Sequence, residues 1–77
     1  MDLNEFVANF VDQIDDVDVE SIKADTEFKE LEEWSSMSAL AVIAMVDAEY
    51  DVQIKGDDIR NAETIEDLYN RVKEIKG

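Results

Sequence analysis

The chain has 77 residues, room for one domain, expected to span residues 1–77. Its 7 Lys+Arg stand against 21 Asp+Glu, and the net charge of −14 repels phosphate backbones and anionic lipid surfaces, so neither a nucleic-acid nor a membrane partner is expected. It contains no Cys and no His, which removes disulfides, a thiolate nucleophile, Cys-ligated zinc and the commonest general base, and with them most small-enzyme chemistry.

Residues 1–5 carry no basic n-region, so no signal peptide is read there and a cytoplasmic protein is expected. Leu3, Phe6, Val7, Phe10, Val11 and Ile14 recur at i, i+3, i+4 and i+7, which predicts a first helix with one apolar stripe. Asp2 is its expected N-cap, and Glu5 is placed to complete a capping box. Asp15 to Ser35 shows no helical stripe. A loop of about twenty residues is unusual in a small domain unless it is functional or pinned down. Val17, Val19, Ile22, Phe28 and Leu31 are the expected anchors. Met1 to Glu33 holds 12 acids and 2 bases, against 9 and 5 from Trp34 onward, so the negative field belongs mainly to the first helix and this loop.

Between Met37 and Val46 only Ser38 is polar, and Ala39, Ala41, Ala44 and Ala48 are strong helix formers. A helix from Ser36 to Tyr50 is predicted, about 22 Å long, with Ser35 and Ser36 as N-cap candidates. Such a helix, apolar nearly all round, is either buried on most sides or bound to something on one of them. The apolar run is about half of what spans a bilayer, and no membrane insertion is expected. Tyr50 to Ile54 alternates in a strand-like way, too briefly for a sheet. Asp57 to Asn61 fits one short capped turn of helix. Ile65, Leu68, Tyr69, Val72 and Ile75 predict a last helix, with Thr64 and Asp67 at capping-box spacing and Arg71, Lys73 and Lys76 suited to its C-terminal half. Absence of Pro and the presence of only two Gly agree with an all-α chain.

This layout and four motifs in order resemble the acyl carrier protein family, which includes peptidyl and D-alanyl carriers. Ser35-Ser36-Met37 stands where that family has Asp-Ser-Leu or Asp-Ser-Met, followed by hydrophobic Leu40, Ile43 and Val46. Glu49-Tyr50-Asp51-Val52-Gln53-Ile54 is similar to the family's Glu-Phe-Asp-Ile-x-Ile. Upstream, Thr26 to Leu31 resembles the Thr/Ser-x-Phe-x-x-Leu of its long loop, and Thr64 to Leu68 resembles the cap of its last helix. The resemblance covers the whole chain. It implies a four-helix bundle with three main helices, a short third helix and a long first loop.

The resemblance further implies that Ser36 is esterified by 4′-phosphopantetheine from coenzyme A, making a phosphoprotein. The arm's thiol would carry an acyl or aminoacyl intermediate as a thioester in fatty-acid or secondary-metabolite biosynthesis. The protein itself would not be an enzyme. Implied partners are a phosphopantetheinyl transferase, an acyl- or aminoacyl-activating ligase and a downstream acyltransferase or synthase, met by a monomer. Two features depart from the pattern. The family's Asp is Ser35 here, and Ala41 and Ala48 stand where acids are common, leaving Asp47 and Glu49. Apolar contact through Met37 and Ala41 is therefore the expected mode of partner recognition, as for a specialised carrier; the competing reading of Met37 and the alanines is core packing. Trp34 fits either a dedicated-pathway carrier or an anchor closing the long loop. Asp57, Asp58 and Glu63 suit either basic partner patches or a solvated capped turn. Space for the cargo is expected near Ile54, Ile59 and Ala62, opposite the small-residue face of Ala41, Ala44 and Ala48.

Two other readings compete. One is a carrier-like acidic interaction module that is never modified, which Ser35 in place of Asp keeps open. The other is a degenerate EF-hand over Asp16 to Glu27, with Glu27 at the twelfth position. That loop lacks the Gly its sixth position needs, having Ser21, and places Lys23 at the normally apolar eighth.

Overall fold

The computed structural model describes residues 2–77. The elements in order are α1 (Leu3–Val11), 3-10 turns at Val19–Ser21 and Phe28–Glu30, α2 (Ser36–Tyr50), α3 (Gly56–Asn61) and α4 (Ile65–Lys76). The described residues form four helices and no strand, an acyl-carrier-like bundle as expected. α1 packs on α4 and α2, and the short α3 bridges α2 and α4.

Asp2 caps α1 by accepting from the backbone N–H of Asn4 at 3.0 Å. The bond reaches the second residue of the helix and not the third, and Glu5 completes no capping box there. The apolar stripe outlasts the helix. α1 ends at Val11, but 3-10-type bonds from Gln13 N–H to the Phe10 carbonyl and from Ile14 N–H to the Val11 carbonyl, both 3.0 Å, still deliver Ile14 to the core.

The core is an aromatic chain running from α1 into the long loop. Phe6, Phe10 and Phe28 are wholly buried. Phe10 meets the edge of Phe28 at 5.1 Å and stacks on Trp34 at 5.8 Å, while Phe28 meets Trp34 edge-on at 4.8 Å. Trp34 is thus the anchor that closes the loop immediately before α2. Ile22 and Phe28 are buried and Val17 and Leu31 pack against the core, so four of the expected anchors hold. Val19 does not: it opens a 3-10 turn and is 62% exposed. The loop also ties itself to α4, whose first N–H groups have no partner within the helix. Glu66 N–H donates to the Ala24 carbonyl at 2.9 Å and Ile65 N–H to that of Thr26 at 3.3 Å.

The predicted capping box of α4 is formed: Asp67 N–H donates to Thr64 Oγ1 and Thr64 N–H to the Asp67 carboxylate, each at 3.1 Å. Ile65, Leu68, Tyr69 and Val72 are buried, while Ile75, the last residue of the predicted stripe, is 40% exposed past the end of the core. The Asp58 carboxylate caps α3 from inside, accepting from Lys55 N–H at 2.9 Å. It also pairs with Arg71 of α4 at 2.8 Å. The Arg71 guanidinium, and then the Lys55 N–H, hold the Asp58 carboxyl below its ordinary value. Tyr50 ends α2 half-buried, its hydroxyl accepting from the Asn9 amide at 2.9 Å, and burial pushes its pKa up.

Candidate functional site at the start of α2

α2 begins where the sequence places it, and its first turn separates three serines by role. Ser35 is extended (φ −144°, ψ 174°), the conformation of an N-cap. Its hydroxyl accepts from Ser38 N–H, and Ser38 Oγ accepts from Ser35 N–H, both at 3.3 Å, forming a neutral capping box. Ser38 is buried beneath the turn. Ser36, the first helical residue, takes no part in that exchange and is exposed. Its hydroxyl stands at a helix start, where N–H groups without helical partners and the helix dipole favour an anionic ester. α2 has no acid in its first turn, unlike α1, α3 and α4.

The helix has two apolar faces. Val42, Met45 and Val46 are buried with Ser38. On the opposite side Met37 is 79% and Leu40 67% exposed, and Ala44, Asp47 and Ala48 continue that face toward the C-terminus. Core packing is therefore not the role of Met37. Ala41 is half-buried, not fully exposed. Leu40 is the residue that the sequence leaves without a surface role. Met37, three positions before it, and Ala44, four positions after it, share its face. That face is recognisable as the outer one only once the buried face is known.

The expected cargo space is closed. Ile54, Ile59 and Ala62 are 3%, 5% and 4% exposed, and Ala44 and Ala48 are exposed to solvent instead of packing toward α3. Asp57 is exposed and paired with Arg60 at 2.6 Å, whereas the Asp58 side chain is only 14% exposed and turned toward Arg71. Of these two acids Asp57 is the exposed one, and Asp58 belongs to the α3–α4 junction. An open groove of about 260 Å3 lies on the α1 side of the serine turn, lined among others by Gln13, Asp15, Glu33, Ser35, Met37 and Ala41.

The EF-hand reading has no counterpart in the structure. Asp18 directs its carboxylate to the Glu20 N–H at 3.1 Å, and the segment winds into a 3-10 turn. Among the described residues no three Asp or Glu side chains converge to hold a metal ion. No described helix is long and apolar enough to cross a membrane.

A small acidic bundle that displays a helix-start serine beside exposed apolar side chains is organised as a carrier of a tethered group. Residues 5–72 match the family model described as a phosphopantetheine attachment site, and the chain belongs to that family. The cofactor of this family is covalently attached 4′-phosphopantetheine. Domains of this kind are not themselves catalytic and work with a phosphopantetheinyl transferase and biosynthetic enzymes. No solved structure matches the chain. The first turn of α2 fits the group: an exposed hydroxyl, N–H groups around it without helical partners and no acid within the turn to oppose a phosphodiester.

Proposed function

We propose that Ser36 bears the phosphopantetheine and that the protein presents an acyl or aminoacyl group on it to partner enzymes. The observation that carries this is the division of labour in one turn: Ser35 and Ser38 hold each other in the capping box, and Ser36 alone of the three is displayed outside it. When bound, the arm supplies the thiol nucleophile that a chain without Cys lacks.

The chain's own residues have three tasks. The Ser35–Ser38 box fixes the direction in which α2 leaves the loop and so aims Ser36 outward. Trp34, stacked on Phe10, holds the preceding backbone against the core. Met37 and Leu40, with Ala41 at the edge of their face and Asp47 at its far end, offer partners an apolar surface beside the arm. Asp57 adds charge at the rim, steering basic partners with a strength that falls with salt. The partners on this reading are the transferase, an acyl- or aminoacyl-activating ligase and a downstream acyltransferase or synthase. The protein acts without catalysing, as a cytoplasmic monomer and a member of a dedicated pathway.

Intact-mass analysis after incubation with coenzyme A, Mg²⁺ and a broad-specificity transferase tests it. One added phosphopantetheine is expected on the wild type and on Ser35→Ala, and none on Ser36→Ala. An unmodified wild type with several transferases would leave the acidic interaction module as the better reading.

A further inference from the structure

Among the described residues methionine stands at two positions, both in α2, and the fold treats them oppositely. Met45 is 6% exposed on the buried face, whereas Met37 is 79% exposed, directly after Ser36. The chain has no Cys, so no thiol of its own reacts with an oxidant ahead of a thioether. Trp34, the oxidisable ring nearby, is half-buried and stacked on Phe10. The residues that α2 buries are Ser38, Val42, Met45 and Val46, so the fold makes no use of Met37. Of the outer face formed by Met37, Leu40, Ala44, Asp47 and Ala48, only Met37 carries an oxidisable atom.

Building on the reading of that face as the partner surface, we propose that Met37 is a site of reversible oxidation that turns partner docking off. A peroxide delivers one oxygen to Met37 Sδ. The S–O bond forms as the O–O bond breaks, sulfur gives up two electrons, and the other oxygen leaves as water. The resulting sulfoxide places a polar acceptor between the serine and Leu40, where a partner would otherwise meet apolar surface. Covering that oxygen without a donor costs the complex affinity. Reduction by a sulfoxide reductase restores the thioether: two thiols become a disulfide and the oxygen leaves as water. Met45 is spared because an oxidant reaches it only when the bundle opens. The chemistry is thereby confined to the docking face and leaves the core alone.

The test starts from the full chain before it carries an arm, so that no thiol competes for the oxidant. It is treated with hydrogen peroxide, the excess is removed with catalase, and peptide mapping locates each added oxygen. Met37 is expected to oxidise about tenfold or more faster than Met45, with the urea midpoint unchanged. The oxidised chain is then loaded from coenzyme A and Mg²⁺ by a broad-specificity phosphopantetheinyl transferase. Its kcat/KM should fall about five- to tenfold and recover after treatment with sulfoxide reductases of both stereospecificities. Peroxide should leave the loading rate of Met37→Leu where it stood before treatment, while Met37→Gln should load slowly without any oxidant. Oxidation of Met45 as fast as Met37 overturns the proposal, as does unchanged loading of the Met37 sulfoxide. An untreated wild type that takes up no arm instead overturns the carrier reading beneath it, so the two failures are told apart.

Discussion

α4 and α2 are both rich in apolar residues, and they use them differently. α4 has one stripe, and the core takes Ile65, Leu68, Tyr69 and Val72 from it; only the terminal Ile75 is left partly outside. α2 has two apolar faces and the core takes one, Val42, Met45 and Val46, leaving Met37 and Leu40 in water. Folding therefore uses nearly all the large apolar side chains of α4 and only part of those of α2. The unburied part lies beside the displayed serine, where the proposed partner surface needs it.

That contrast predicts opposite outcomes for substitutions of similar size. Phe28→Ala, in the wholly buried aromatic chain, should cost about 3–5 kcal/mol, enough to unfold much of a domain this small in urea titrations near neutral pH. Leu40→Asp should leave stability in urea within about 0.5 kcal/mol of wild type, yet slow transfer to or from a partner enzyme roughly tenfold. A large stability loss with Leu40→Asp would show that the outer face packs after all. Ser35→Ala removes one side of the capping box and should cost about 1 kcal/mol while leaving Ser36 modifiable.

Asp58 sets a finer test on the α4 side of the comparison. Its carboxyl is held below the ordinary value of 3.8 by Arg71 and the Lys55 N–H. A depressed folded-state pKa stabilises the fold above the unfolded-state value, and that contribution is lost as the pH falls through the folded-state value. Asp58→Ala should therefore be less stable than wild type by about 1 kcal/mol or less at pH 7, since Arg71 is half in solvent. The gap should persist to about pH 5 and close below about pH 4. A gap that does not change with pH would assign the loss to packing.

Where one face alone is apolar, the sequence carries both the helix and its orientation. The stripes of α1 and α4 are legible for this reason; the Thr64–Asp67 box and the bounds of α2 are legible from their capping residues and helix-forming run instead, and these also place Ser36 at an exposed helix start. The buried side of α2 is not legible, because a helix apolar nearly all round has no phase to its hydrophobicity. That is why Ala44 and Ala48 look like a packing face and are exposed, and why Leu40 passes as an ordinary core position. The end of α1 is blurred because 3-10 turns carry Ile14 inward without a helix. Val19 is misplaced because an apolar residue in a structureless stretch has no periodicity to say which way it faces. The groove is composed of residues from three separate segments, Gln13 and Asp15, Glu33, and Met37 and Ala41, and only the fold brings them together.

Three neighbouring hydroxyls open α2, and only Ser36 stands outside the capping box. Loading the wild-type chain with phosphopantetheine, digesting it and fragmenting the peptide that spans Ser35, Ser36 and Ser38 under conditions that retain the phosphodiester decides this directly. The added mass is expected on Ser36 alone, with Ser35 and Ser38 unmodified in their capping box. Modification on Ser35, or a mixture of serines, would contradict the division of roles in the first turn of α2.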